Sequence, residues 1–255
     1  MRQTDRKPLE NMIYGIHPVM EALKSGKEFD KILLQKGASS PLFKELFQEI
    51  RNQNCHFQFV PEQKLNSLTK GNHQGVVGLA SLVSYVTIDE VITRSYESGK
   101  SPLVVILDKV TDVRNMGAIA RTAECAGADA IIFPVQNSAP ISADAIKSSA
   151  GALLQLSLVR SENLKNTINF LKESGLQIIA ASEKATDNYF NLDFNQPTAF
   201  IMGSEETGIS PEYLKLATAH ISIPMSGKIE SLNVSAAAAV LLFETVRQRI
   251  NANRE

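Results

Sequence analysis

The chain has 255 residues, 44% of them hydrophobic and 21% charged, with a formal net charge of −1. That length suits one large domain or two ordinary ones, and that composition builds a core and excludes wholesale disorder. A near-zero charge excludes a bulk polyanion binder, and two cysteines without CxxC spacing exclude a disulfide framework or a zinc site.

No run approaches the roughly 18 apolar residues of a membrane span, and the first residues, MRQTDRKPLENM, lack the apolar stretch of a signal peptide. The chain therefore reads as soluble and cytoplasmic. Its charge is uneven. Residues 1–85 carry 11 Lys and Arg against 8 Asp and Glu, or +3, and residues 86–255 carry 15 against 19, or −4. The N-terminal part is the better candidate for meeting phosphates, although +3 is also ordinary surface scatter.

In chain order, residues 1–11 are polar and read as a flexible N-terminus. Residues 12–84 alternate short strands and helices: a strand or turn and then a helix up to Gly26, a strand from Phe29 to Leu34, and a helix from Pro41 to Asn52. A strand follows from Phe57 to Val60, a short helix from Pro61 to Leu68, and a closing strand from Val76 to Leu82. Residues 85–101 end in the turn formers of ESGKSP and read as a linker, with a helical stretch from Ile88 to Tyr96. Residues 102–255 alternate again. LVVILD from Leu103, Ala130–Pro134, Gln177–Ala181, Ala199–Gly203 and Ile221–Pro224 read as strands. Helices are expected at Met116–Ala126, Ser161–Ser174, Pro211–Ala217 and Leu232–Ile250. Continuous apolar strands alternating with helices predict a parallel sheet in an α/β fold.

Three segments carry chemistry. In Leu107–Gly127, LDKVTDVRNMGAIARTAECAG, Asn115 stands where a helix N-cap is expected and Arg121 lies two turns on. From the residues alone Arg121 is equally a solvated helix position. In Phe200–Ser210, FIMGSEETGIS, a strand ends in Gly203, which suits close approach of backbone to a ligand or a plain tight turn with solvated glutamates. Lys and Ser/Thr do not follow Gly208, so a P-loop is excluded, and the chain has no G-x-G-x-x-G fingerprint. In Ile223–Glu244, IPMSGKIESLNVSAAAAVLLFE, Ser231, Asn233 and Ser235 crowd the start of an apolar block. They are helix-starting residues, and a helix start also holds polar ligands. His17, His56, His73 and His220 lack metal-ligand spacing and read as surface or structural, with Asn72, His73 and Gln74 as candidate RNA-touching loop residues.

In this order the three segments resemble the motifs of the SpoU, or TrmH-like, group of SPOUT RNA methyltransferases, and the resemblance covers nearly the whole chain. It implies a C-terminal methyltransferase domain over 102–255, threaded as a trefoil knot, binding cofactor and dimerising. It also implies an RNA substrate-binding domain over 12–84, similar to some RNA-binding ribosomal proteins. The family's NxGAIxRTA motif is matched letter for letter and makes Arg121 catalytic, with Asn115 beside it. Glu205 matches the acid of G-N-E-x-x-G, although Ser204 replaces the common Asn. Ser231 and Asn233 match positions around the reacting hydroxyl. Gly203, Ile223, Pro224, Met225 and Leu232 match the cradle of S-adenosylmethionine, and no metal is implied.

The implied reaction is methylation of a ribose 2′-hydroxyl in RNA, a guanosine of 23S rRNA first, by a homodimer. The alternatives are tRNA as substrate or a non-catalytic RNA-binding module. A serine hydrolase using Ser204 and Glu205 is disfavoured, because no G-x-S-x-G elbow is present.

Overall fold

The computed structural model describes residues 11–252. The expected loose segment 1–11 lies outside them except for Asn11, whose amide donates to the Ala80 carbonyl at 2.7 Å. The chain divides into two compact units, ending and starting at Ser84 and Tyr85.

The first unit runs β1 (Met12–Tyr14), α1 (Ile16–Lys24), β2 (Phe29–Gln35), α2 (Pro41–Asn52), β3 (Phe57–Val60), α3 (Glu62–Asn66) and β4 (Val76–Ala80). Its sheet order is β1-β4-β2-β3, with β2 and β3 parallel and the other pairs antiparallel. Ile32 and Leu34 of β2 face Val19 and Leu23 of α1 and Phe43, Leu46 and Ile50 of α2 in one core. His73 is not an RNA-facing loop residue. It is only 7% exposed, its Nδ1 accepts from the Gly75 N–H at 3.0 Å, and its Nε2 therefore carries the hydrogen that reaches Asn66 Oδ1 at 2.9 Å. Its neighbour Gln74 caps α1, accepting the Ile16 N–H at 3.0 Å.

The second unit runs α4 (Ile88–Glu97), β5 (Leu103–Leu107), α5 (Val113–Cys125), β6 (Ala130–Pro134), α6 (Ala143–Ser148) and β7 (Ser157–Ser161). It continues through α7 (Leu164–Glu173), β8 (Gln177–Ala181), β9 (Asp187–Asn188), β10 (Thr198–Met202), α8 (Pro211–Leu214), β11 (Ala219–Ser222) and α9 (Val234–Ala252). The expected parallel sheet is present: seven strands in the order β7-β6-β5-β10-β8-β11-β9, every pair parallel. Each residue of LVVIL is buried, as a strand covered on both faces requires. Val104 and Ile106 pack with Val91 of α4 and Ile168 of α7 in one core, while α5 packs against α6 and α9.

Residues 85–101, expected as a linker, fold into this unit. A Thr87–Glu90 capping box starts α4, Val91 and Ile92 are buried, and Ser95 Oγ donates to Asp129 Oδ1 at 2.6 Å. The apolar period of α4 needs a core to cover it, and β5 supplies one. Ser161, expected to open a helix, instead closes β7, and α7 starts after the Asn163 N-cap.

Candidate functional site

In a parallel sheet, ligands sit beyond the carboxyl ends of the strands, where the strand order reverses. Here the chain steps outward from β5 to β6 and β7, returns to β8, and places β10 between β5 and β8. The carboxyl ends of β5, β8, β10 and β11 therefore lie together at one end of the sheet, and all three sequence motifs start there.

The β10 end is a closed turn. Ser204 N donates to the Gly208 carbonyl at 3.2 Å, and Gly208 N returns the bond at 2.9 Å. Ser204 Oγ also accepts the Thr207 N–H at 3.0 Å, so this side chain is spent on the turn. A Cβ at Gly203 would run into the Gly208 carbonyl carbon and the Ile209 nitrogen, which are backbone and cannot yield; only glycine fits. Asp108, which follows β5 and is 2% exposed, fixes the exit of the turn by accepting the Ser210 N–H at 2.6 Å. Asp108 escaped the sequence reading; its only signal was an acid ending an apolar strand.

The turn presents Glu205 to two other elements. Asn115 Nδ2 donates to Glu205 Oε1 at 2.9 Å, Asn233 Nδ2 donates to the same oxygen, and Asn233 Nδ2 also reaches Asn115 Oδ1 at 3.0 Å. Asn233 is itself oriented, since its Oδ1 accepts from Ser235 N at 2.9 Å and Ser235 Oγ at 2.5 Å. Asn115 is not the N-cap of α5. Asp112 is, accepting from Arg114 N at 2.7 Å and Asn115 N at 3.2 Å. The Arg114 guanidinium, followed by those two backbone donors, holds the Asp112 carboxyl below the usual carboxylate range. With Asp112 as cap, the Asn115 side chain is left for Glu205.

Beside this network lies a cavity of about 470 Å³, within the roughly 300–1,000 Å³ range of small-molecule sites. Gly203, Glu205, Ile223, Met225, Ser231, Leu232 and Asn233 all line it. Pro224, Asn115 and Arg121 do not. Ser182, Glu183 and Lys184 after β8 complete the wall, and the sequence offered no signal for them. Arg121 is exposed on α5, about 9 Å along the axis from Asn115 and about 120° around it, and so stands outside the Asn115–Glu205–Asn233 network. No carboxylate among the described residues pairs with it. Among the described residues no group of three His, Cys, Asp or Glu is arranged to hold a metal, and no helix is long and apolar enough to cross a membrane.

Comparison with known proteins agrees with this geometry. Residues 102–243 match the SpoU rRNA Methylase family, and residues 12–86 match the RNA 2′-O ribose methyltransferase substrate-binding domain. A TrmH family tRNA/rRNA methyltransferase of Staphylococcus epidermidis is 34% identical over 93% of this chain and 96% of its own. The SpoU methyltransferase AviRb of Streptomyces viridochromogenes, solved with the cofactor AdoMet, is 26% identical over 94% of this chain and 90% of its own, with a TM-score of 0.61. A TrmH/SpoU tRNA-modifying enzyme of A. aeolicus is 29% identical over 65% of this chain and 85% of its own, with a TM-score of 0.56. The chain belongs to the SpoU rRNA methylase family.

Proposed function

We propose that the protein transfers the methyl group of S-adenosylmethionine to a ribose 2′-hydroxyl in RNA, with a guanosine of 23S rRNA as target. The observation that carries this reading is the Asn115–Glu205–Asn233 network at the rim of a cavity beyond the strand ends. The cavity fits the cofactor's chemistry. Ile221, Ile223, Leu232 and Leu241 offer apolar contact to a flat purine, and Ser182, Thr207 and Ser231 offer hydrogen-bonding groups.

When bound, S-adenosylmethionine supplies an electrophilic methyl carbon on a sulfonium. The chain's residues do the rest. Gly203 lets the turn close against the cavity. Asn115 and Asn233 hold Glu205 by one carboxylate oxygen, which leaves Oε2 to take the proton of the ribose hydroxyl as its oxygen attacks. Ser231 and Asn233 border the reacting hydroxyl. Arg121, exposed and without a carboxylate partner among the described residues, clamps the phosphate of the target nucleotide, a bidentate task suited to guanidinium. Gly203, Ile223, Met225 and Leu232 would hold S-adenosylmethionine, whose methyl would pass to the ribose oxygen with S-adenosylhomocysteine as the leaving product.

The substrate-binding unit supports rRNA over tRNA, because minimal tRNA-modifying members lack it; an rRNA substrate also implies the cytoplasm. The placement of β10 between β5 and β8 suits the expected trefoil knot, and an exposed apolar stripe on α9 suits a homodimer.

Purified protein, radiolabelled S-adenosylmethionine and total RNA from a strain lacking the gene test the reading, with the label mapped by nuclease protection. We expect label on one guanosine ribose of 23S rRNA. Label on tRNA would keep the chemistry and overturn the substrate, and label on no RNA would overturn the enzyme.

A further inference from the structure

The first unit carries an aromatic cluster that its core does not explain. Phe47 of α2 and Phe57 and Phe59 of β3 meet with ring centroids 5.2, 5.6 and 5.8 Å apart. Phe47 and Phe57 are half-buried against the core between the sheet and α1 and α2, but Phe59 is 41% exposed. β3 is an edge strand, paired among the described strands with β2 alone, so the cluster stands at the border of the sheet.

The charges around it are sorted. At about 100° per residue, Lys44 and Arg51 lie within about 60° of Phe47 around α2, whereas Glu45 and Glu49 lie about 160° away. Lys44 and Arg51 are exposed, and among the described residues neither pairs with a carboxylate. An exposed ring packed on Phe47, with two cations beside Phe47 on α2 and the acids turned away, has the chemistry of a single-strand nucleic-acid platform: the ring stacks a base and the cations meet its phosphates. A protein partner would leave those two cations uncompensated or need acids of its own opposite them.

We infer that Phe59, backed by Phe47 and Phe57, with Lys44 and Arg51 beside Phe47 on α2, stacks an unpaired base of the RNA substrate. The inference rests on the RNA-methylating reading above and adds to it a contact surface remote in sequence from the methyl-transfer site.

The chain contains no tryptophan, so Phe59→Trp in the full-length protein places a single indole on the platform. A short oligoadenylate should quench its fluorescence, and a blunt RNA duplex of matched length should not. Phe59→Ala should weaken oligoadenylate binding by roughly fivefold or more and raise the KM for RNA while leaving the KM for S-adenosylmethionine unchanged. The double variant Lys44→Gln, Arg51→Gln, confined to exposed positions, guards against a folding defect. It should lower the same affinity and flatten its dependence on salt. Unquenched indole together with unchanged RNA KM in Phe59→Ala, while wild-type protein still methylates RNA, would overturn the platform alone. An indole signal that follows protein concentration without RNA would overturn it in favour of a second copy on the β3 edge. Failure of the enzymatic reading is distinct, since wild-type protein would then label no RNA.

Discussion

Among the described residues two amides, of Asn115 and Asn233, tie the Glu205 side chain to the rest of the fold, and those amides have opposite ends that must not swap. A flipped amide at either position would aim its oxygen at the Glu205 carboxylate, and Asn115 takes its orientation from Asn233, whose Nδ2 donates to Asn115 Oδ1. Ser235 prevents this by donating twice, from N and Oγ, to Asn233 Oδ1, which leaves Nδ2 facing Glu205 and Asn115. In Ser235→Ala the backbone donor remains and the hydroxyl is lost. One hydrogen bond of this kind is worth about 1 kcal/mol, so kcat should fall about fivefold. The KM for S-adenosylmethionine should hold, because Ser235 does not line the cavity. Ser235→Thr, which keeps the hydroxyl, should restore turnover. Steady-state kinetics of the two variants settle the point; equal losses in both would mean that the serine only caps a helix.

At the scale of elements, α9 acts as a strut between the two ends of the sheet. Its 19 residues span about 28 Å. Its start carries Ser235 beside the methyl-transfer network. Its last turn carries Arg249, whose guanidinium donates to the carbonyls of Phe194 at 3.0 Å, Ser101 at 2.7 Å, Pro102 at 3.2 Å and Gln196 at 3.1 Å. Those carbonyls precede β5 and β10, so Arg249 ties the helix to the entry ends of both central strands. Burial lowers its pKa, yet a guanidinium stays charged, and removing it takes the donor from the Phe194 and Ser101 carbonyls, while Pro102 and Gln196 still accept from Thr198. Arg249→Ala should cost about 3 kcal/mol in denaturant unfolding, and Arg249→Lys should recover only part, because an ammonium cannot span that fork. This clamp was invisible in the sequence, where Arg249 is one more polar residue near a helix end. The legible parts were those that one element decides alone. LVVIL announces a strand covered on both faces, and the Pro41 to Asn52 period announces a helix. β7 was missed because only Leu158 and Val159 mark SLVRS as apolar, although Ser161 is buried beside them. Asn115, Glu205 and Asn233 were singled out one by one through motif resemblance, but their pairing was not legible, since they lie 90 and 28 residues apart and only the sheet order joins them.

For the molecule as a whole, α9 stands out because its first half, residues 236–243, is apolar on every side while its own chain covers only part of it. Val234, Ala238, Leu241, Leu242 and Thr245 are buried, but Ala236, Phe243 and Ile250 are exposed, the last two at 49% and 47%. These three are seven residues apart and so fall on one stripe, drifting only about 20° per step. A stretch apolar on every side belongs inside a core, and the same stretch of a second copy, related by a two-fold axis, would complete one. The flanking Arg247 does not oppose this, because its charge is already matched by Glu244 at 2.7 Å. Light scattering after gel filtration should therefore give a mass near twice the 27.9 kDa of the chain. Phe243→Glu places two like charges across the axis at the centre of the stripe and should return the single-chain mass. Phe243 is solvent-exposed within its own chain, so the unfolding midpoint of the isolated subunit should change little. A wild-type mass of one chain, or a Phe243→Glu variant that still doubles, would remove α9 from the interface and leave its exposed stripe to some other partner.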